Sequence, residues 1–165
     1  MKIIKWHYLL AALIIIFDQV TKYIVAASMR IGESIEVIPS FLYLTSHRNA
    51  GAAFGILQGQ RWFFLIITVA VIAVVVYYMQ KYGTLSFTFG IPLALVLGGA
   101  VGNFIDRMLF GEVVDFVDVY LFAYNYPIFN VADAALTVGV VWLIIGMFLD
   151  ERSRKKEEAH ESTNY

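Results

Sequence analysis

"PIFNVADAALTVGVVWLIIGMFL", residues 127–149, closes the last apolar stretch of the chain, and from Val131 to Leu149 its sole ionisable side chain is Asp133. A helix crosses the hydrocarbon core of a bilayer with roughly 20 predominantly apolar residues. This segment is long enough and apolar enough to do so, and Pro127 suits a first helical turn, where its missing N–H costs nothing. A carboxylate near the start of such a run costs several kcal/mol to hold in lipid. Asp133, set three residues after Asn130, therefore marks a place where the segment does more than span.

The rest of the chain supports the same class. Of its 165 residues 60% are hydrophobic and 15% charged, with a mean hydropathy of +0.72. A soluble domain has about half its residues apolar and about a quarter charged. The surplus of apolar surface needs lipid to cover it. Three further stretches qualify as spans: Trp6 to Ser28, Trp62 to Met79, and Phe87 to Ile105. The expected fold class is an all-α polytopic membrane protein with four transmembrane helices. Lys2, Lys5 and the small residues of "VAAS" give the first stretch some features of a signal peptide. Asp18, Gln19 and Lys22 interrupt the smooth run that a cleaved leader carries, which favours a retained span.

Four spans put both termini on one side, with residues 1–150 forming the transmembrane domain and 151–165 a charged, frayed tail. That side collects Lys2, Lys5, Lys81, Arg152, Arg154, Lys155 and Lys156, whereas the opposite side holds Arg30, Arg48 and Arg61. The positive-inside rule places the termini and tail in the cytoplasm. Between the first two spans, "SIEVI" and "FLYLTSH" are predicted as short strands separated at Pro39-Ser40, a small extracytoplasmic sheet within residues 31–48. The connection "RMLFGEVVDFVDVYLFAYNY" is predicted to lie against the membrane surface.

The polar residues then converge. "HRNAGAAFG" precedes the second span, "GNFIDR" ends the third, "VVDFVD" follows it and "FNVAD" opens the fourth. All four fall on the same, extracytoplasmic face. Residues three and four apart share a helix face, so Asn103, Asp106 and Arg107 point one way, as do Asn130, Asp133 and Thr137. Gly98 and Gly102 form a small-xxx-small pattern that permits close helix approach. Asn103 and Asn130 also fit a structural role as interhelical hydrogen-bonding groups. Asp106 and Arg107 fit an ion pair at a helix exit, and Asp18 with Lys22 a self-neutralising pair at i and i+4. Asp115, between Val113-Val114 and Phe116-Val117, has no such use.

Two carboxylates close together in a poorly solvated site cannot both ionise readily, so one keeps a proton near neutral pH. The charged one can take a proton from water as it attacks a carbonyl, and the neutral one can donate to the developing oxyanion. That is the chemistry of an aspartyl peptidase. Other classes fit less well. The histidines, His7, His47 and His160, are too scattered for a metal site, and neither H-E-x-x-H nor G-x-S-x-G occurs. No cysteine is present, which excludes disulfides, thiolate metal sites and a Cys nucleophile. A net charge of −1 suggests no nucleic-acid partner.

Taken in order, "DQVTK", "RNAGAAFG", "GNFIDR", "VVDF" and "FNVADAAL" resemble the bacterial lipoprotein signal peptidases (signal peptidase II), over nearly everything from Asp18 to Leu149. The resemblance implies a monomeric intramembrane aspartyl endopeptidase of the bacterial cytoplasmic membrane, with a β-cradle and no metal or organic cofactor. Its implied substrates are diacylglyceryl-modified prolipoproteins embedded in membrane lipid, cut on the N-terminal side of the lipobox cysteine. Globomycin-type cyclic peptides are the implied inhibitors. By motif, the catalytic pair would be Asp115 and Asp133, with Asn49, Asn103, Arg107, Asn130 and Asp18 in substrate contact and support. An alternative of another class is a small ion- or proton-coupled carrier using Asp18 and Asp133, although the second half or broken helices of many carriers are missing. A third is a non-catalytic assembly protein whose polar residues bind the helices together.

Overall fold

A computed structural model describes residues 2–52, 56–82, 87–122 and 124–162. Residues 53–55 of the "RNAGAAFG" motif, 83–86 of the connection between the second and third spans, and the end of the tail lie outside the described residues. The four apolar stretches form helices α1 (Lys2–Ser28), α2 (Arg61–Tyr82), α3 (Phe87–Leu109) and α4 (Val131–Ser162). Each is long and apolar enough to cross a membrane.

The helices are arranged around α3, which packs against each of the other three, while α1 also touches α4. Leu93, Ala94, Val96 and Leu97 of α3 form a buried cluster with Ala11 of α1 and Val75 and Met79 of α2. The other faces of α1, α2 and α4 carry exposed side chains such as Phe17, Ile24, Ile66, Val74, Ile145 and Phe148. In water that surface would aggregate; in a bilayer it meets acyl chains. Close approach to α3 depends on its glycines. A Cβ on Gly98 would lie 2.8 Å from Ile14 Cβ, and one on Gly102 would lie 2.6 Å from an Asp18 carboxylate oxygen and 3.2 Å from Ala132 Cβ.

Four strands cap one end of the bundle: β1 (Ser34–Ile38), β2 (Leu42–Asn49), β3 (Val113–Leu121) and β4 (Tyr124–Asn125), in the order β1-β2-β3-β4 and antiparallel throughout. Ser40, with φ 57°, turns the chain between β1 and β2. The sheet therefore draws on residues beyond 31–48. The connection between α3 and α4, for which no strand was expected, supplies β3, which pairs with β2 so that His47 faces Asp115 and Asn49 faces Val113. Val113 to Phe116 are all buried, so both faces of the strand are covered and its sequence shows no alternation.

Two further expectations change. Pro127 does not open α4; the helix begins at Val131, because Phe129 is held to β3 by Phe129 N–H donating to Val117 O at 3.0 Å and Val117 N–H donating to Phe129 O at 2.8 Å. The charged tail is helical to Ser162 rather than frayed, with Lys155 paired to Glu151 at 2.6 Å. Glu, Arg, Lys and Ala, which dominate it, are strong helix formers.

Candidate functional site

The site begins at the first turn of α4. The Asn130 side-chain oxygen accepts the Asp133 N–H at 2.9 Å, and an Asp133 carboxylate oxygen accepts the Asn130 N–H at 3.2 Å. This reciprocal cap satisfies two backbone donors and sets Asp133 where the helix dipole favours a negative charge. The intervening Ala132 N–H donates to Asp18 of α1 at 2.9 Å. Asp18, fully buried, thus completes the cap of a helix that begins more than a hundred residues later in the chain.

Strand β3 brings the second carboxylate. Because β3 is bonded to Phe129, the residue beside Asn130, it delivers Asp115 to the same helix start. The Asn130 amide donates to Asp115 Oδ1 at 2.7 Å and the Asn49 amide, from the end of β2, donates to Asp115 Oδ2 at 3.0 Å. The Asn103 amide, from α3, donates to Asp133 Oδ1 at 2.7 Å. Each carboxylate is therefore held by amides from other elements, and Asn130 touches both. Asp115 is 1% exposed and Asp133 partly exposed, and among the described residues neither makes an ion pair. Burial, with the charge of Asp133 added to it, pushes the Asp115 carboxyl up to about 7, against the two amide hydrogen bonds that favour its charged form.

Behind this pair lies a second buried polar layer. Lys22 Nζ contacts Asp18 at 2.8 Å, Asp106 at 3.1 Å and the Asn103 side-chain oxygen at 2.9 Å. Gln19 donates to Asp106 at 2.8 Å and to Gly102 O at 3.2 Å. Asp106 also accepts the Val114 N–H at 3.2 Å, one residue before Asp115. The expected Asp106–Arg107 pair is thus replaced: Asp106 turns inward to Lys22, and Arg107 donates to Gly51 O at 3.1 Å with its guanidinium 4.8 Å from the Phe64 ring centre. Adjacent helical residues point about 100° apart, which separates them.

Asp115, Asp133, Asn49, Asn103, Asn130, Arg107 and Asp18 all arrive at the sheet end of the bundle. Sequence reasoning took Lys22 chiefly as the partner of Asp18, with a Ser–Lys arrangement lacking a serine that stands out, and gave Gln19 no role beyond interrupting the apolar run. The available signal was that "DQVTK" places Asp18, Gln19 and Lys22 on one helical surface, and that Asn103 and Asp106 repeat that spacing on α3. Among the described residues, no group of three or more His, Asp or Glu side chains is arranged to hold a metal ion.

Residues 10–149 match the sequence profile of a family described as Signal peptidase (SPase) II. A lipoprotein signal peptidase of Halalkalibacterium halodurans is 59% identical over 152 residues, covering 92% of this chain and 97% of that one. The lipoprotein signal peptidase of Bacillus subtilis (strain 168) is 54% identical over 152 residues, covering 92% and 99%. A bacterial membrane enzyme solved by the in meso method at 2.3 Å resolution superposes with a TM-score of 0.85 at 50% identity, covering 89% of this chain and 90% of that one.

Proposed function

The chain belongs to the signal peptidase II family, membrane proteases that remove signal peptides from prolipoproteins, and on that premise we propose that Asp115 and Asp133 are its catalytic dyad. The observation that carries the proposal is the convergence of two buried or half-buried carboxylates on one residue, Asn130, whose side-chain amide donates to Asp115 and whose backbone N–H donates to Asp133, with neutral donors alone in contact among the described residues. One carboxylate keeps a proton and the other takes one from the attacking water. The water oxygen bonds to the scissile carbonyl carbon, the carbonyl oxygen receives the proton of the neutral carboxyl, and collapse of the tetrahedral intermediate sends a proton to the leaving amine. The dyad returns to its singly protonated state.

The substrate proposed is a diacylglyceryl-modified prolipoprotein, cut on the N-terminal side of the lipobox cysteine. Such a substrate keeps both its acyl chains and its signal helix in lipid. An apolar groove on α4, lined by Thr137, Val138, Val141, Trp142 and Ile145, continues along the helix from Asp133 and suits an apolar segment. Asn49, Asn103, Asn130 and Arg107 surround the dyad and Asp18 supports it; one chain supplies them all, so a monomer suffices. The termini are assigned to the cytoplasm and the dyad to the outer face, from the charge bias of the connections. Globomycin-type inhibitors would compete for the dyad. The test is cleavage of a diacylglyceryl-modified lipobox peptide by the purified protein in detergent. Release of the signal fragment, blocked by globomycin, is expected; an uncut modified peptide would sink the proposal.

A further inference from the structure

The three amides around the dyad share a feature that selects one more residue. A side-chain amide can turn over, exchanging its NH2 donor for its oxygen acceptor, unless a neighbour fixes its polarity. The Asn130 oxygen is held by the Asp133 backbone N–H at 2.9 Å, and the Asn49 oxygen by the Gly51 backbone N–H at 3.0 Å. Backbone N–H groups can only donate, so both NH2 groups must face outward, and both meet Asp115. Among the described residues, Asn103 has no backbone donor of this kind. Its oxygen is held by Lys22 Nζ at 2.9 Å, and an ammonium likewise can only donate. Among the described residues, the one other group reaching that oxygen is the Asn130 amide at 3.2 Å, which also lies 3.4 Å from Val114 O.

We propose that Lys22 is a positioning residue of the dyad, locking the Asn103 amide so that its NH2 donates to Asp133. Its three N–H groups have three acceptors, on Asp18, Asp106 and Asn103, so the ammonium is saturated and cannot turn away. Asp18 and Asp106 hold Lys22, Lys22 orients Asn103, and Asn103 holds the Asp133 carboxylate at 2.7 Å. With the ammonium gone, the Asn103 oxygen keeps only the longer contact from the Asn130 amide, which that amide shares with Val114 O, and can swing toward Asp133 and oppose its negative charge. Lys22 itself is 3% exposed and touches no reacting atom in this chain of contacts.

The assignment rests on the peptidase function proposed above, and the experiment separates the two. Lys22 cannot be removed alone, because two buried carboxylates would be left unpaired. Lys22→Met/Asp106→Asn removes the donor and keeps the net charge of the trio at −1, since two carboxylates and one ammonium become a single carboxylate. Lys22→Met/Asp18→Asn does the same through the other carboxylate and serves if the first variant does not fold. With thermal unfolding showing a folded protein, kcat on the lipidated peptide is expected to fall about tenfold, with KM within about twofold. In an Asn103→Leu background the same change is expected to reduce kcat less than about twofold further, since the amide through which Lys22 acts is gone. Wild-type kcat in a folded charge-matched variant overturns the assignment, as does a full tenfold loss in the Asn103→Leu background. Wild-type protein that leaves the peptide uncut overturns the peptidase function and this assignment together.

Discussion

Two pairs of carboxylates, all buried except the half-buried Asp133, share the sheet end of the bundle, and they are treated in opposite ways. Asp18 and Asp106 close around the Lys22 ammonium at 2.8 Å and 3.1 Å. Asp115 and Asp133 meet the amides of Asn49, Asn103 and Asn130 and the Asn130 backbone N–H. A cation in contact neutralises a carboxylate and fixes its place. An amide orients a carboxylate without cancelling its charge, which leaves it able to accept or release a proton as a reaction requires. One pair builds the site and the other is available to work in it.

That contrast can be broken most directly at the dyad. Asp115→Asn and Asp133→Asn are each expected to lower cleavage by at least about a thousandfold in protein that remains folded, because members of a catalytic unit fail together. Retention of more than a few per cent of activity by either would move that residue out of the working pair. Asp18→Ala is expected to lose about 3–5 kcal/mol of stability, since it breaks a buried ion pair and uncaps Ala132. Its activity per folded molecule should exceed that of the dyad variants, and chemical denaturation alongside single-turnover cleavage tests both statements. An Asp18→Ala protein as stable as wild type but inert would erase the distinction between the pairs.

Smaller effects sharpen it. Asn130→Ala removes one charge-assisted hydrogen bond, which costs about 1.5–3 kcal/mol and corresponds to roughly ten- to a hundredfold in rate. It should be slow but measurably active where Asp133→Asn is dead; equal, complete loss would place Asn130 in the catalytic set. The remaining effect is one of pH. Folded Asp115 holds its proton to about 7, whereas in the unfolded chain an Asp releases its proton near 3.9. Between those values the native state binds more protons, so stability falls as pH rises, by at most about 1.4 kcal/mol per pH unit, and levels off above 7. Asp115→Asn should lack this decline. Parallel unfolding curves for wild type and variant from pH 5 to 8 would show that Asp115 is not the group responsible.

The spans were legible because each is a long unbroken apolar run, and Asp115 and Asp133 because a lone carboxylate among apolar residues calls for an explanation. Strand β3 was not, for the reason that makes it useful. It is buried on both faces, so Val113, Val114, Phe116 and Val117 hide the period of two that marks a half-exposed strand. The start of α4 was misjudged at Pro127 because the bonds between Phe129 and Val117 join residues whose pairing no local pattern announces. Lys22 showed its partner one turn away but not Asp106 or Asn103, which are some eighty residues distant and are brought to it by helix packing. Local spacing reveals what one helix face carries and not what that face will meet.

The bond from the Ala132 N–H to Asp18 joins the first membrane helix to the last across 114 positions. During synthesis, α1 enters the bilayer long before α4 exists, and it carries Asp18 and Lys22 as a pair that offsets its own charge. The Asp18 oxygen destined for Ala132 then waits without its partner until the final span arrives. A nascent chain accordingly lacks the proposed dyad, and on that assignment the protease cannot act until its own biogenesis is complete. Chains truncated before Val131 are expected to be cleared from the membrane faster than the full chain, a difference that pulse-chase labelling would register.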